Sequence, residues 1–123
     1  MAQEPVEYFE DPINRKGPRE ECNLLNPKVQ EGILDEIDHG EANVWGFEPV
    51  CTSFCSWMRL NGGTRTSDHP EGVEPLTQGE RDGNRLACFT ARAFARALDR
   101  GKFAWVENPA PDGLYPSMWD LPE

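Results

Sequence analysis

The sequence predicts an α/β fold built on a βαβ unit, in which a helix joins two parallel strands. Three observations predict it. Short apolar runs at 43–48 and 103–106 are typical of buried strands. Between them, an apolar stripe with helical spacing predicts a helix over about 84–100. Because such connections are right-handed and parallel in nearly all proteins, both strands should end at the same edge of one sheet.

A flanking helix is predicted at 27–38, before the first strand. Asn26 is a suitable N-cap, Pro27 suits the first helical position, and Gly40 suits the end of the helix. Together these elements predict a partial Rossmann-like parallel sheet, a βαβ unit with one flanking helix. Since parallel sheets usually have more strands and helices on both faces, the domain should be an incomplete doubly wound one.

Glycine and proline mark the connections. Gly46 inside the first strand indicates a close neighbour, and Gly101 should end the second helix. The segment 56–83 has no regular period, so we expect a mobile cover over a site. One helical turn is predicted at 116–119.

The length of 123 residues predicts one domain. Residues 1–23 are polar without any period, which predicts an extended or disordered lead, and 24–123 form the α/β domain. No apolar run is long enough to cross a membrane, and the start of the chain lacks a secretory pattern. These observations predict an intracellular protein, cytoplasmic or nuclear, with no membrane partner.

The formal net charge of −10 argues against unspecific attraction to nucleic acid. The basic residues are nevertheless clustered late in the chain. A local basic face that binds nucleic acid therefore remains possible. That set is Arg81, Arg85, Arg92, Arg96, Arg100 and Lys102.

The cysteines favour reduced thiols over disulfides or a metal site. Four occur, two of them as a C-x₃-C pair at Cys51 and Cys55. There is no second tight pair, and His39 and His69 lack the spacing of zinc ligands, so we predict no metal. A thiol redox or metal protein remains the weakest interpretation.

Chemistry-bearing residues follow each predicted strand. Cys51 comes after the first strand, and Glu107 and Asn108 come after the second. Open α/β sheets bind ligands at the carboxyl ends of their strands, so a thiol and a carboxylate should share one crevice. A thiolate attacks an electrophilic ring carbon, and a nearby acid protonates the ring. The structural alternative is a buried apolar cysteine and a turn at 107–109.

The segment Pro49–Cys55, PVCTSFC, resembles the catalytic loop of DNA cytosine-5 methyltransferases, which usually has Pro-Pro-Cys followed shortly by Phe-Ser. Glu107–Pro109 is similar to the Glu-Asn-Val motif of that family. The order of the motifs, the strand before each and the helix between them also match. Asn26–Gly40, Gly83–Ala87 and Trp119–Pro122 resemble segments of methyltransferase-like proteins of the same general kind.

The resemblance implies a role for each matched residue. Cys51 would add to ring carbon six of a cytosine that is flipped out of its stack, and Glu107 would protonate or hydrogen-bond the ring nitrogen. Asn108 would help to hold that loop. Ser53 and Arg59, which stand close after Cys51 in the sequence, are the candidate substrate-binding residues. S-adenosylmethionine would supply the methyl group.

The family's Phe-x-Gly-x-Gly turn, which holds S-adenosylmethionine, does not occur in this sequence. A second chain could therefore supply the cofactor-binding half, or the chain could form a homodimer through exposed sheet edges. The alternative function is a non-enzymatic acidic interaction protein on a degenerate α/β scaffold. Its support is the acidic charge, the missing glycine turn and the short length.

Overall fold

The computed structural model describes residues 23–111 and 113–122. Within them the chain forms two α-helices and a sheet of two parallel strands, so the predicted α/β class is confirmed. The lead predicted over 1–23 lies outside the described residues except for Asn23. The elements are α1 (Pro27–His39), β1 (Val44–Phe47), α2 (Gln78–Asp99) and β2 (Phe103–Val106), with 3₁₀ turns at Thr52–Phe54, Ser56–Leu60 and Met118–Asp120.

The described chain divides into two compact units. The first unit holds the described residues up to Phe47 together with Phe89–Trp105. The second unit holds Glu48–Cys88 together with the described residues from Val106 onward. Helix α2 contributes to both units, and all the predicted site residues belong to the second.

Helix α1 begins as the sequence predicts. The Asn26 side chain accepts a hydrogen bond from the Lys28 backbone N–H at 2.9 Å, and Pro27 occupies the first turn, where its missing N–H costs nothing. The apolar face of α1 packs against α2 to form the core of the first unit. That core consists of Ile33, Leu34, Ile37, Phe89, Ala93 and Ala97.

The two strands are half-buried, so the prediction that they are buried was wrong. One face of the sheet packs against the first core through Trp45, Phe47 and Ala104. The other face is exposed, and Phe103 and Trp105 on it are 76% and 51% exposed. The reason is that the core formed by α1 and α2 covers a single face of the sheet within this unit.

Two glycine predictions are confirmed. A Cβ atom on Gly46 would lie 2.4 Å from Cζ2 of Trp105, so the strand needs a glycine where the indole ring crosses it. Gly101 has a φ of +72° and ends α2. Its N–H donates to the Leu98 carbonyl, and the Lys102 N–H donates to the Ala97 carbonyl, which satisfies two of the last carbonyls of the helix.

Helix α2 begins at Gln78, six residues earlier than the predicted start near 84. A capping box fixes this start. The Thr77 hydroxyl accepts from the Glu80 N–H at 3.1 Å, and the Glu80 carboxylate accepts from the Thr77 N–H at 3.0 Å. The residues around Gly79 were therefore wrongly assigned to the irregular segment, because glycine interrupts the apolar pattern of the first turns.

Part of the predicted basic set is bound within the first unit. Arg96 and Arg100 donate to the Asp38 carboxylate at 2.7 Å and 2.9 Å. Burial acts to raise the pKa of Asp38, but the hydrogen bonds and charges of Arg100 and Arg96 outweigh it, so the pKa is lowered. Lys102 donates to the Gly40 carbonyl at 3.2 Å. The remaining members, Arg81, Arg85 and Arg92, have exposed side chains.

Candidate functional site

The two motif segments are joined by a hydrogen bond within the second unit. The side-chain amide of Asn108 donates to the carbonyl oxygen of Pro49 at 2.9 Å. This bond links the segment that follows β2 to the segment that follows β1. Cys51 and Asn108 are half-buried, whereas Glu107 is exposed. The loops after β1 and β2, which the sequence predicts to lie close together, are therefore linked through Asn108.

Cys51 stands at the start of a tight turn. The Phe54 N–H donates to the Cys51 carbonyl at 2.8 Å and closes the 3₁₀ turn Thr52–Phe54. The thiol of Cys55 donates to the Thr52 carbonyl at 3.2 Å, across the same turn. The side chains of Ser53 and Phe54 on this turn are buried, whereas that of Cys51 remains partly exposed to solvent.

The predicted substrate-binding residues lie in different surroundings. Ser53 is 5% exposed, and its hydroxyl accepts a hydrogen bond from Arg65, so in this conformation it helps to hold the turn. Arg59 is exposed and donates a hydrogen bond to the Leu114 carbonyl. Its guanidinium carbon lies 6.0 Å from the centroid of the Tyr115 ring. Substrate contact by these two residues stays a prediction.

Arg65 is the central residue that the sequence reasoning missed. It is 4% exposed and donates five hydrogen bonds. Nε and Nη2 donate to the Ser53 carbonyl and hydroxyl, both at 3.0 Å. Nη1 donates to the Pro70 carbonyl at 2.7 Å and to Oδ1 of Asn84 at 2.8 Å, and Nη2 also approaches the Glu80 carbonyl at 3.4 Å. The segment predicted as a mobile cover, 56–83, is thus anchored at Arg65.

An aromatic ring completes the surroundings of Arg65. The guanidinium carbon lies 3.8 Å from the centroid of the Phe54 ring, within the range of a cation–π contact. Phe54 in turn packs with Ala87 and Met118 in the core of the second unit. Burial lowers the pKa of Arg65, and the charge of Glu80 acts against that effect.

Glu80 is a buried acid in the second unit. It is 0% exposed, and its carboxylate accepts from the Thr64 N–H at 3.0 Å, the Thr64 hydroxyl at 2.8 Å and the Thr77 N–H at 3.0 Å. Burial acts to raise the pKa of Glu80, but these hydrogen bonds outweigh it and the pKa is lowered. The ionised carboxylate therefore offsets the buried charge of Arg65.

One sequence signal could have identified Glu80. The spacing Thr77-x-x-Glu80 is the pattern of a capping box and predicts an acid at the third helical position. No comparable signal marks Arg65, because its partners come from several separate stretches of chain. Burial of this one arginine follows from the tertiary structure.

The described residues do not fit the cofactor that the resemblance implies. Strand β1 leads into Glu48 and Pro49, and β2 leads into Glu107 and Asn108. Neither strand leads into a glycine-rich turn that opens a helix, which is the usual cradle for a nucleotide cofactor in a doubly wound sheet. Within 23–111 and 113–122 we therefore find no fit for S-adenosylmethionine.

The same part of the chain holds no group of three or more His, Cys, Asp or Glu side chains that could bind a metal ion. Cys51, Cys55 and Cys88 are free thiols. Of the helices described, none combines the length and the apolar character needed to cross a bilayer.

The site therefore consists of a thiol on a clamped turn, a neighbouring Glu-Asn segment, and the buried side chains of Arg65 and Glu80. No protein-family model, no curated protein and no solved structure matches this chain.

Proposed function

We propose that this chain carries the nucleophile of a cytosine-5 methyltransferase-like site, with Cys51 adding to ring carbon six of cytosine. The observation that carries the proposal is the Asn108–Pro49 hydrogen bond, which ties the carboxylate segment to the thiol segment. Both segments follow parallel strands, and ligands of open α/β sheets bind at that edge. The resemblance of Pro49–Cys55 and Glu107–Pro109 to the family motifs gives independent support.

The chemistry assigns a different task to each residue. The thiolate of Cys51 forms a bond to carbon six, and the electrons of the 5,6 double bond move through the ring to nitrogen three. Glu107 gives a proton to that nitrogen, which leaves carbon five as a nucleophilic enamine carbon. Asn108 binds no substrate in this scheme and keeps the Glu107 segment beside the thiol loop.

The enamine can be detected without any cofactor. When carbon five takes a proton from solvent and then loses its original hydrogen, Cys51 is expelled and Glu107 recovers its proton. The net change is an exchange of the hydrogen on carbon five with solvent. Cytosine is regenerated, so the atoms balance without a methyl donor.

S-adenosylmethionine, when bound, would supply the methyl group that replaces this hydrogen. Because the described residues do not fit it, we assign no methyl transfer to this chain alone. A second chain that completes a Rossmann-like sheet would hold the cofactor. The exposed side chain of Arg81, in the same unit as Cys51, would meet the phosphates of a nucleic acid.

The experiment that tests the proposal is deuterium exchange. The protein is incubated in D₂O, without S-adenosylmethionine, with a single-stranded DNA oligonucleotide that contains cytosine. After return to H₂O and digestion, mass spectrometry should show deuterium retained on cytosine, since only carbon-bound deuterium survives the return. An oligonucleotide with 5-methylcytosine is the matched control, because it has no hydrogen on carbon five. Exchange no faster than in protein-free buffer would overturn the proposal.

A second candidate function, a non-enzymatic interaction protein, is favoured by the exposed face of the sheet. Val44, Phe103 and Trp105 present apolar side chains there, and such a face is normally covered in parallel sheets. A second copy of the chain could cover it. Light scattering on the purified protein should then give twice the mass of 13.9 kDa. A monomer at every concentration would exclude the homodimer.

A further inference from the structure

A buried arginine, Arg65, binds Ser53, two residues after the candidate nucleophile, and the proposed chemistry does not use it. An arginine side chain has five N–H donors and no acceptor. All five donors of Arg65 are used, and every acceptor lies in the second unit. A burial this complete would be costly for an unpaired charge, so the geometry around Arg65 is closely specified.

We propose that Arg65 is a positioning residue for Cys51, which holds the turn after the thiol in the conformation that presents it for attack. The inference rests on the proposed function, which makes Cys51 the nucleophile. It adds a residue that touches neither the substrate nor the reacting atoms. Arg65 acts through the backbone and the hydroxyl of Ser53.

The fork of the guanidinium explains why an arginine is needed. Two of its nitrogens bind the Ser53 carbonyl and hydroxyl, two residues after Cys51, both at 3.0 Å. The central carbon of the same group lies over the Phe54 ring, 3.8 Å from its centroid. A lysine ammonium is a compact charge on a flexible stem and cannot make this set of planar contacts.

The other end of the contact network lies on a capped helix. Arg65 also binds Asn84 and the Glu80 carbonyl on α2, whose first turn is fixed by the capping box. Gly83 lets α2 lie against the turn, since a Cβ atom there would lie 2.4 Å from the Ser53 hydroxyl oxygen. Arg65 therefore fixes the position of the Cys51 turn relative to the start of the helix.

The first test compares the reactivity of two thiols in one protein. Arg65→Lys and the wild type are treated with iodoacetamide, and mass spectrometry follows alkylation of Cys51 and Cys88. Cys88 is exposed on α2 and serves as the internal reference. Because a loosened turn exposes its thiol, the Cys51 rate relative to Cys88 should rise by about fivefold or more. An unchanged ratio in a folded Arg65→Lys protein would overturn the proposal.

The second test separates positioning from binding in the exchange assay. Arg65→Lys should lower kcat for exchange by about 10²-fold, because a misplacement of roughly 1 Å at the reacting atom has an effect of this size. KM for the oligonucleotide should change little, because Arg65 is buried and does not reach the nucleic acid. A rise in KM with kcat unchanged would contradict a positioning role.

A second variant covers the case in which Arg65→Lys does not fold. Gly83→Ala keeps the guanidinium and pushes the new methyl group against the Ser53 hydroxyl. Its matched control is Gly79→Ala, in the same helix, where an added Cβ meets nothing within 4 Å. Gly83→Ala should raise the relative alkylation of Cys51, and Gly79→Ala should leave it unchanged. Equal ratios in both variants would count against the proposal.

The two proposals fail in distinguishable ways. Alkylation requires no catalytic activity, so wild-type protein without exchange activity would overturn the proposed function and leave the alkylation result to judge Arg65. The opposite result is active wild-type protein with unchanged Cys51 alkylation in folded Arg65→Lys and Gly83→Ala. It would support the proposed function and exclude a positioning role for Arg65.

Discussion

Replacing Cys51 by alanine should abolish exchange of the cytosine hydrogen, with a loss of about 10³-fold or more. The proposed reaction needs a bond from sulfur to carbon six, and the methyl side chain of alanine cannot form such a bond. Neither neighbouring hydroxyl replaces the thiol, since Thr52 and Ser53 are weak nucleophiles and Ser53 is buried. The measurement is deuterium on cytosine as a function of time, by mass spectrometry of the nucleosides.

The controls separate this loss from a change in structure. Cys51→Ser keeps the size and polarity of the side chain and should be almost as inactive as Cys51→Ala. Cys88→Ala removes an exposed thiol on α2 and should retain the wild-type rate. Equal exchange in Cys51→Ala and the wild type would remove Cys51 from the mechanism, whatever the other variants show.

Replacing Glu80 by alanine should lower the free energy of unfolding by about 4 kcal/mol, because buried donors lose a charged acceptor. The Thr64 and Thr77 N–H groups would be left without their partner, and α2 would lose its capping box. The buried cation of Arg65 would also lose the charge that opposes it. Chemical denaturation followed by circular dichroism measures the change.

A matched control is available on the other helix. Glu31 is exposed on α1, so Glu31→Ala should change the free energy of unfolding by less than about 0.5 kcal/mol. Glu80→Gln keeps the size of the side chain and should lose less than Glu80→Ala. Similar stability of Glu31→Ala and Glu80→Ala would show that the buried carboxylate does not hold the start of α2.

The same residue predicts a dependence on pH. The pKa of Glu80 is lower in the folded protein than its ordinary value of 4.5, so the unfolded chain takes up the proton first as the pH falls. The stabilisation is therefore complete above pH 4.5 and is lost as the pH drops through the folded pKa. As the pH is lowered from neutral into this acid range, the melting temperature should fall more steeply for the wild type than for Glu80→Gln. Parallel curves would contradict the prediction.

Local patterns predicted the elements with strong local signals. Asn26 and Pro27 start α1 because a side-chain acceptor and a missing donor both suit a helix start, whatever surrounds them. Gly101 ends α2 because it adopts a positive φ without strain. Both boundaries depend on the few residues nearest to them, so the sequence is enough.

The wrong predictions came from local ambiguity or from missing neighbours. Gly79 and Gly83 weakened the helical pattern at the start of α2, and the capping box at Thr77 and Glu80 overcame it. The strands were predicted as buried because a short apolar run does not show how many helices cover it. Phe103 and Trp105 are exposed because one face of the sheet has no cover within its unit.

The sequence by itself determined the order of the elements, the position of Cys51 and Glu107 after their strands, and the motifs that suggest thiol chemistry on a pyrimidine. Only the tertiary structure decided that Asn108 reaches Pro49 and that Arg65 is the buried one among the arginines at 23–111 and 113–122. The physical reason is distance along the chain. Helix caps and turns are fixed by neighbours, whereas these contacts join residues 59 and 12 positions apart and exist only once the chain has folded back on itself.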